Sequence, residues 1–222
     1  MILGAHIRAV TFDVGGTLIE PWLSVGHVYS TVAARHGFNI SPEILNERFA
    51  NAWKAKHNFG HSMRDWSDLV DATFKDLIPK PPSQTFFPEL YEEFAVRRSW
   101  KVFDDVVPYL TGLQERKLRL AVISNWDERL RPLLMSLDLA HFFETMVVSI
   151  EVGTPKPDAN IFNVAAAKLQ LRPDQILHIG DSPLEDVEGA RNAGFHAVLI
   201  DRNAGQRLQD IAAYALLQSS RS

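Results

Sequence analysis

Five short apolar runs constrain this fold more than any other feature: IRAVTFDV (7–14), LRLAVISN (118–125), TMVVSI (145–150), QILHIGD (175–181) and AVLID (197–201). Each has the length of a strand and carries β-branched residues. Most are apolar throughout instead of alternating, which predicts strands buried on both faces, as in a parallel sheet covered by helices. Between the later runs, apolar residues recur at helical spacing. Val106, Leu110, Leu113 and the alkyl stem of Lys117 precede the second run; Leu130, Leu133, Leu134 and Leu137 follow it. Ile161, Val164, Ala165 and Leu169 precede the fourth, and Leu184, Val187 and Ala190 lead to Gly194, a helix stop. Strand–helix alternation of this kind implies right-handed βαβ units and an α/β, doubly wound parallel sheet.

The interval between the first two runs breaks the alternation. Residues from about 20 to 99 show no convincing strand but carry four helical stripes. These are Val25, Val28, Tyr29 and Val32; Leu45, Phe49, Ala52 and Trp53; Trp66, Leu69, Val70, Phe74 and Leu77; and Phe87, Leu90, Tyr91 and Phe94. Ser41-Pro42-Glu43 has the form of an N-cap, a first-turn proline and an acidic first turn. Lys80-Pro81-Pro82-Ser83 separates the third and fourth helices. The expected organisation is a core domain of residues 1–19 and 100–222, with a helical domain of residues 20–99 inserted after the first strand. The insert is expected over the carboxyl ends of the strands, where open α/β sheets bind ligands. Trp53, Trp66 and Tyr91 are expected to pack its core at helical spacing, with an exposed interface as the other reading.

Composition narrows the function classes. A chain of 222 residues with 46% hydrophobic content can bury a substantial core. A net charge of −4 gives no reason to expect a nucleic-acid or membrane partner. There is no cysteine, so disulfides and thiolate metal sites are excluded, and a cytoplasmic location is the expectation. The N-terminal stretch MILGAHIRAV reads as the first strand and not as a signal peptide. No apolar run approaches the ~20 residues of a membrane-spanning helix.

Chemistry-bearing residues collect at the ends of the predicted strands. Asp13 ends the first, Ser124-Asn125 the second, Lys156 follows the third in GTPKPD, and Gly180-Asp181 ends the fourth with Asp186 just beyond. Taken singly, each has a plain structural role as a turn, a cap or a surface loop. In a parallel sheet, however, all these ends lie on one edge and can converge. Two or three carboxylates, Asp13 and Asp181 with Asp186, form a hard oxygen site suited to Mg²⁺. A carboxylate can also act as a nucleophile toward phosphorus. A lysine would balance phosphoryl charge, and a serine hydroxyl with backbone amides would hold phosphoryl oxygens.

In this order the motifs FDVGGTL, VISN, the lysine of GTPKPD, and IGDSPLEDVEGA resemble those of the haloacid dehalogenase-like (HAD) superfamily. The resemblance covers residues 7–18 and 100–202, and the insert stands where that family carries a helical C1-type cap. It implies a Rossmannoid core and hydrolase activity. It further implies Asp13 as nucleophile; Asp13, Asp181 and the carbonyl of Gly15 as Mg²⁺ ligands, with Asp186 arranging the metal's surroundings; and Ser124, Lys156 and Asn125 around the phosphoryl group. The implied partner is a small phosphorylated metabolite.

One position departs from the pattern. The family's phosphatases carry a second aspartate two residues after the nucleophile, which protonates the leaving alcohol and then activates water. Here that residue is Gly15. A general acid–base group typically contributes ~10²–10⁴-fold. Three readings follow: a Mg²⁺-dependent phosphatase with another proton source or a good leaving group; a metal-independent dehalogenase, whose halide needs no proton; or a catalytically impaired binding or regulatory protein. For the first, His27, His57, His61 and Arg64 are available in the insert, each otherwise an exposed polar residue of a helix. A phosphonate hydrolase using Lys54 or Lys56 as a Schiff base is a further variant.

Overall fold

A computed structural model describes residues 7–56 and 59–211. In chain order, β1 (Ala9–Phe12) is followed by a short β2 (Ile19–Pro21) and by helices α1 (Val25–Arg35), α2 (Pro42–Lys54), α3 (Met63–Phe74) and α4 (Phe87–Glu93). Then come β3 (Trp100–Val102), α5 (Val106–Glu115), β4 (Arg119–Ser124), α6 (Leu130–Ser136), β5 (Thr145–Val148), α7 (Ser149–Val152) and α8 (Ala159–Leu169). After these come β6 (Ile176–Gly180), a π-helical turn over Pro183–Glu188, α9 (Gly189–Asn192) and β7 (His196–Leu199), the last strand. Among the described residues no helix is long and apolar enough to cross a membrane.

The five apolar runs form one parallel sheet in the order β5-β4-β1-β6-β7. Helices pack on both of its faces. On one, Ala9, Ala121, Ile123, Val147 and Ile176 meet Ile161, Phe162, Ala165 and Leu169 of α8. On the other, Phe12 lies edge-on to Tyr109 of α5 and to Phe143, with ring centroids 6.3 Å apart in each pair. The alternation of side chains along each strand sends Ala9 and Thr11 to the α8 face and leaves Phe12 for the opposite one. Strand order reverses between β1 and β6, so their carboxyl ends flank the topological switch point of the sheet.

The chain divides into two compact units, Met1–Ile19 with Val102–Ser222, and Glu20–Lys101. In the second, Tyr29 stacks on Phe74 at 5.7 Å and meets Phe49 and Phe94 edge-on, both at 5.9 Å. Ser41 caps α2 with Pro42 in its first turn, and Ser62 with Asp65 forms a capping box on α3. Tyr91 is buried in this core, Trp66 is half-buried, and Trp53 is 41% exposed while stacking on Phe49 and Trp66.

Three local expectations need correction. Residues 20–99 were read as free of strands, yet Ile19–Pro21 pairs with Trp100–Val102 in a two-stranded sheet. Three-residue strands built on Glu20 and Lys101, whose charged ends are 3.8 Å apart, carry no apolar run to detect. The strand read over 145–150 stops at Val148, and Ser149 begins a helical turn ended by Gly153 in a left-handed conformation. The helix read from Leu184 begins instead as a π-turn, a form often found at functional sites.

A buried carboxylate ties the end of α4 to the return of the chain. Glu93 accepts hydrogen bonds from Arg98 at 2.7 and 2.8 Å, from Arg35 at 3.3 Å and from Ser99 at 3.2 Å. The Arg98 bonds, with smaller help from the others, hold its pKa below the ordinary glutamate range. A carboxylate depressed in the folded state stabilises above its unfolded pKa, and that contribution is lost as pH falls. Glu93→Gln is therefore expected to lower unfolding stability at neutral pH by about 1 kcal/mol, a figure kept small because Arg98 is solvent-accessible. The difference from wild type should shrink in urea titrations run below pH 4; an unchanged difference at low pH would sink this account.

Candidate active site

The carboxyl ends of β1, β4 and β6 place three polar side chains side by side. Asp13 follows Phe12 directly, and its amide donates to Ile179 of the neighbouring strand at 2.9 Å. Ser124 is the last residue of β4, and its hydroxyl donates to Asp13 Oδ1 at 2.9 Å. Asp181 follows Gly180, the last residue of β6. One carboxylate oxygen from each of Asp13, Asp181 and Asp186 lies within 4.8 Å of the others. Asp13 and Asp186 are buried, while Asp181 is the exposed member.

Lys156 reaches this cluster from the loop after α7. Its ammonium donates to Asp13 Oδ1 at 2.6 Å and to Asp186 Oδ1 at 2.5 Å, and the residue is almost wholly buried. Burial opposes the charge on Lys156, but Asp13 and Asp186 outweigh it and hold the pKa above the ordinary lysine value. Burial likewise opposes the charge on Asp186, yet Lys156 and His178 pull its pKa well below the usual range. Asp13 is pushed up to about 7, by burial first and then by Asp186 and Asp181, with Lys156 acting against them. Loss of hydration and the charge of Asp186 push Asp181 up to about 6.

Asn125 meets the lysine and not open space. Its Nδ2 donates to the Lys156 carbonyl at 3.0 Å, and the Lys156 amide donates to its Oδ1 at 2.7 Å. Asn125 Nδ2 also lies 3.2 Å from Glu185 Oε2. The side-chain amide thus clamps the backbone from which the Lys156 ammonium projects. Asp186 accepts from Lys156 and, at 3.1 Å, from His178 on Oδ1, and from the Ser182 amide at 2.9 Å on Oδ2. The segment packs tightly: a Cβ on Gly180 would stand 2.1 Å from Asp186 Cγ. Gly16, with φ of 74°, turns the chain where any Cβ would come within 2.4 Å of an Asp181 oxygen.

Two buried polar residues behind the site went unnoticed in the sequence. His178 lies wholly buried in β6, edge-on to Phe162 on the α8 face. Thr11 stands opposite it in β1 by register, and its hydroxyl is 2.9 Å from His178 Nδ1. Burial pushes the His178 pKa down, which favours a neutral ring that donates from Nε2 to Asp186 and accepts from Thr11. The available signal was a single imidazole inside the apolar run ILHIG, in a strand otherwise dry on both sides.

Gly15 sits half-buried in the turn after Asp13. A Cβ added there would lie 3.1 Å from Cζ3 of Trp126, the residue after Asn125. The backbone of Trp126 is fixed by Ser149, whose Oγ accepts from its amide and donates to its carbonyl, both at 3.1 Å. In the helical unit, His61 departs from the expected exposed helical position. It is buried ahead of α3, with φ of 62°, between Phe59 and Trp66. Arg64 is exposed on α3, and His27 is half-buried, bonded to Ser24 through Nδ1 at 2.8 Å. His57 lies outside the described residues. Lys54 is exposed and Lys56 half-buried.

A family model described as haloacid dehalogenase-like hydrolase matches residues 7–194. The chain belongs to the haloacid dehalogenase-like hydrolases. It is 35% identical over 207 residues to haloacid dehalogenase-like hydrolase domain-containing protein 3 of Mus musculus, covering 88% of this chain and 82% of that one. It is 36% identical over 118 residues to the phosphoserine phosphatase of Thermus thermophilus, covering 53% of this chain and 47% of that protein. Its fold is similar to the crystal structure of a HAD phosphatase from Thermococcus onnurineus, with TM-score 0.65 and 26% identity over 92% of this chain and 91% of that one.

Removing the ammonium should expose the repulsion it offsets. Lys156→Met leaves Asp13 and Asp186 buried without their cation, which is expected to cost about 3 kcal/mol of stability at neutral pH. Both carboxylates would then have folded pKa values above their unfolded ones, so the loss should diminish as pH falls and they protonate. Chemical denaturation of the variant at pH 7 and pH 5 measures this; a loss that does not depend on pH would mean the ammonium serves packing alone.

Proposed function

We propose that this hydrolase is a Mg²⁺-dependent phosphatase acting on a small phosphorylated metabolite through an aspartyl-phosphate on Asp13. The observation that carries this reading is the double hold on one carboxylate oxygen, by the Ser124 hydroxyl and the Lys156 ammonium, beside Asp181 at the switch point of the sheet. The matches to a phosphatase by sequence and by structure support it.

The donor set fits the metal. Three carboxylates face a single ammonium, all hard oxygen donors, and two of the three have pKa values raised by mutual repulsion and lost hydration. Asp13, Asp181 and the Gly15 carbonyl would hold Mg²⁺. Both oxygens of Asp186 already accept protein hydrogen bonds, so it would act at one remove, through Lys156. Bound there, the ion would neutralise phosphoryl oxygens and raise the electrophilicity of phosphorus.

The chain's own groups do the rest. An oxygen of Asp13 attacks phosphorus as the ester P–O bond breaks with its electron pair, and the departing oxygen takes its proton from water. Lys156 and Ser124 balance and orient the phosphoryl oxygens, and Asn125 fixes Lys156 by its backbone. Water then cleaves the acyl phosphate and returns Asp13 to its carboxylate form. The Glu20–Lys101 unit takes the part of a substrate-selecting cap.

Gly15 favours a second reading, a binding or regulatory protein with impaired turnover. A Mg²⁺-dependent assay with para-nitrophenyl phosphate separates the two. Activity is expected with Mg²⁺, to vanish with a chelator and to return on adding the metal. Asp13→Asn keeps a partner for Ser124 and Lys156 and is expected to lower kcat at least ~10³-fold. Full activity in that variant would refute the mechanism, and chelator-insensitive halide release from a 2-haloacid would establish the dehalogenase reading instead.

A further inference from the structure

An indole edge crowds the position two residues after Asp13 where a side chain at residue 15 would begin. A Cβ on Gly15 would meet Trp126 Cζ3 at 3.1 Å and Cη2 at 3.8 Å, so the benzo edge of the ring lies against the glycine. The ring is held there by its own loop. Ser149 brackets the Trp126 backbone, and the Ile150 amide donates to the Trp126 carbonyl at 3.3 Å. Asn125, next in the chain, is clamped to Lys156. The indole is half-buried, so part of its surface remains accessible.

Two consequences follow from this exchange of a carboxylate for a ring. An indole N–H is far too weak an acid to protonate a departing alkoxide, so a site with Trp126 in place of a carboxylate favours a weakly basic leaving group. The same ring is a flat apolar surface, which favours a planar, apolar leaving group over a hydroxylated alkyl chain. We infer that Trp126 sets the specificity of this site for phosphate monoesters with a planar, weakly basic leaving group, an aryl or enol phosphate. This rests on the phosphatase reading and narrows its substrate class. In the first step an Asp13 oxygen forms a bond to phosphorus. The P–O bond to the leaving group breaks with its electron pair, and the aryl or enol oxyanion leaves and takes its proton from solvent water.

The test combines turnover with binding. Wild type is assayed with Mg²⁺ against phenyl phosphates of graded leaving-group pKa and against alkyl phosphates of similar size. kcat/KM is expected to fall steeply with leaving-group pKa, leaving alkyl esters ~10²-fold or more below the nitrophenyl ester. Trp126→Leu is expected to raise KM for aryl esters about 3–10-fold and to leave alkyl esters unchanged, with Trp126→Phe close to wild type. Calorimetry with phenylphosphonate and ethylphosphonate, which are not hydrolysed, measures the same contact without turnover. Tighter binding of the phenyl compound, lost in Trp126→Leu and kept in Trp126→Phe, supports the inference. Equal binding of the two phosphonates, or turnover of alkyl and aryl esters at equal rates, overturns it while leaving a phosphatase. Absence of turnover on every ester overturns the phosphatase reading, and the phosphonate comparison still decides whether Trp126 contacts the ligand. Gly15→Asp/Trp126→Ala, which removes the ring edge and supplies a carboxylate, is expected to raise alkyl ester turnover where Gly15→Asp alone does not; an equal gain in the single variant would contradict the crowding by the ring.

Discussion

The Lys156 ammonium sits buried between Asp13 and Asp186, and the site as a whole depends on it. Bringing several carboxylates to one sheet edge is electrostatically unfavourable, the more so where water is excluded. One buried cation, bonded to both, makes the arrangement tenable and leaves an excess of negative charge that suits a hard divalent ion. The rest of the local structure serves to place that charge. Asn125 grips the lysine's backbone on both sides, and His178 and the Ser182 amide hold Asp186 to receive it.

Behind this pair lies a polar thread through an apolar sheet. Thr11 and His178 are register partners on adjacent strands, and both face α8. Placing an imidazole there costs hydration, which is recovered only because each ring nitrogen has a partner, Thr11 on one side and Asp186 on the other. Orientation of Asp186, and through it of Lys156, is thereby anchored in the central sheet. Supporting hydrogen bonds of this kind fix the rotamers of groups that would otherwise be free to swing.

Much of this was legible in the sequence, for identifiable reasons. The central strands, buried on both faces, write themselves as continuous apolar runs, and even the half-exposed edge strand β7 keeps an apolar run, so all five were visible, as were the stripes of α1 to α4 and the Ser41-Pro42 cap. Asp13, Ser124, Lys156, Asp181 and Asp186 stood out because polar residues at the ends of such runs share one edge of a parallel sheet. Less legible were β2 and β3, too short and too charged to carry a pattern, and His61, whose position was set by the rings of Phe59 and Trp66 and not by helical periodicity. Asn125 was read beside the phosphoryl group. Its hydrogen bonds to Lys156, 31 positions away, add a hold on the lysine's backbone that no local motif could reveal.

By itself the sequence determined the class of fold, the order of the chemical groups and the missing side chain at Gly15, because these follow from local pattern and from residue identity. Tertiary structure decided what stands in place of that side chain. Trp126 is 111 residues from Gly15, and only the parallel pairing of β1 with β4, followed by the turn that Ser149 fixes, brings its ring against the glycine. The position is bordered by an apolar ring edge as well as lacking an acid. Which atoms fill a space depends on the packing of distant segments, a property that residue identity at one position does not carry.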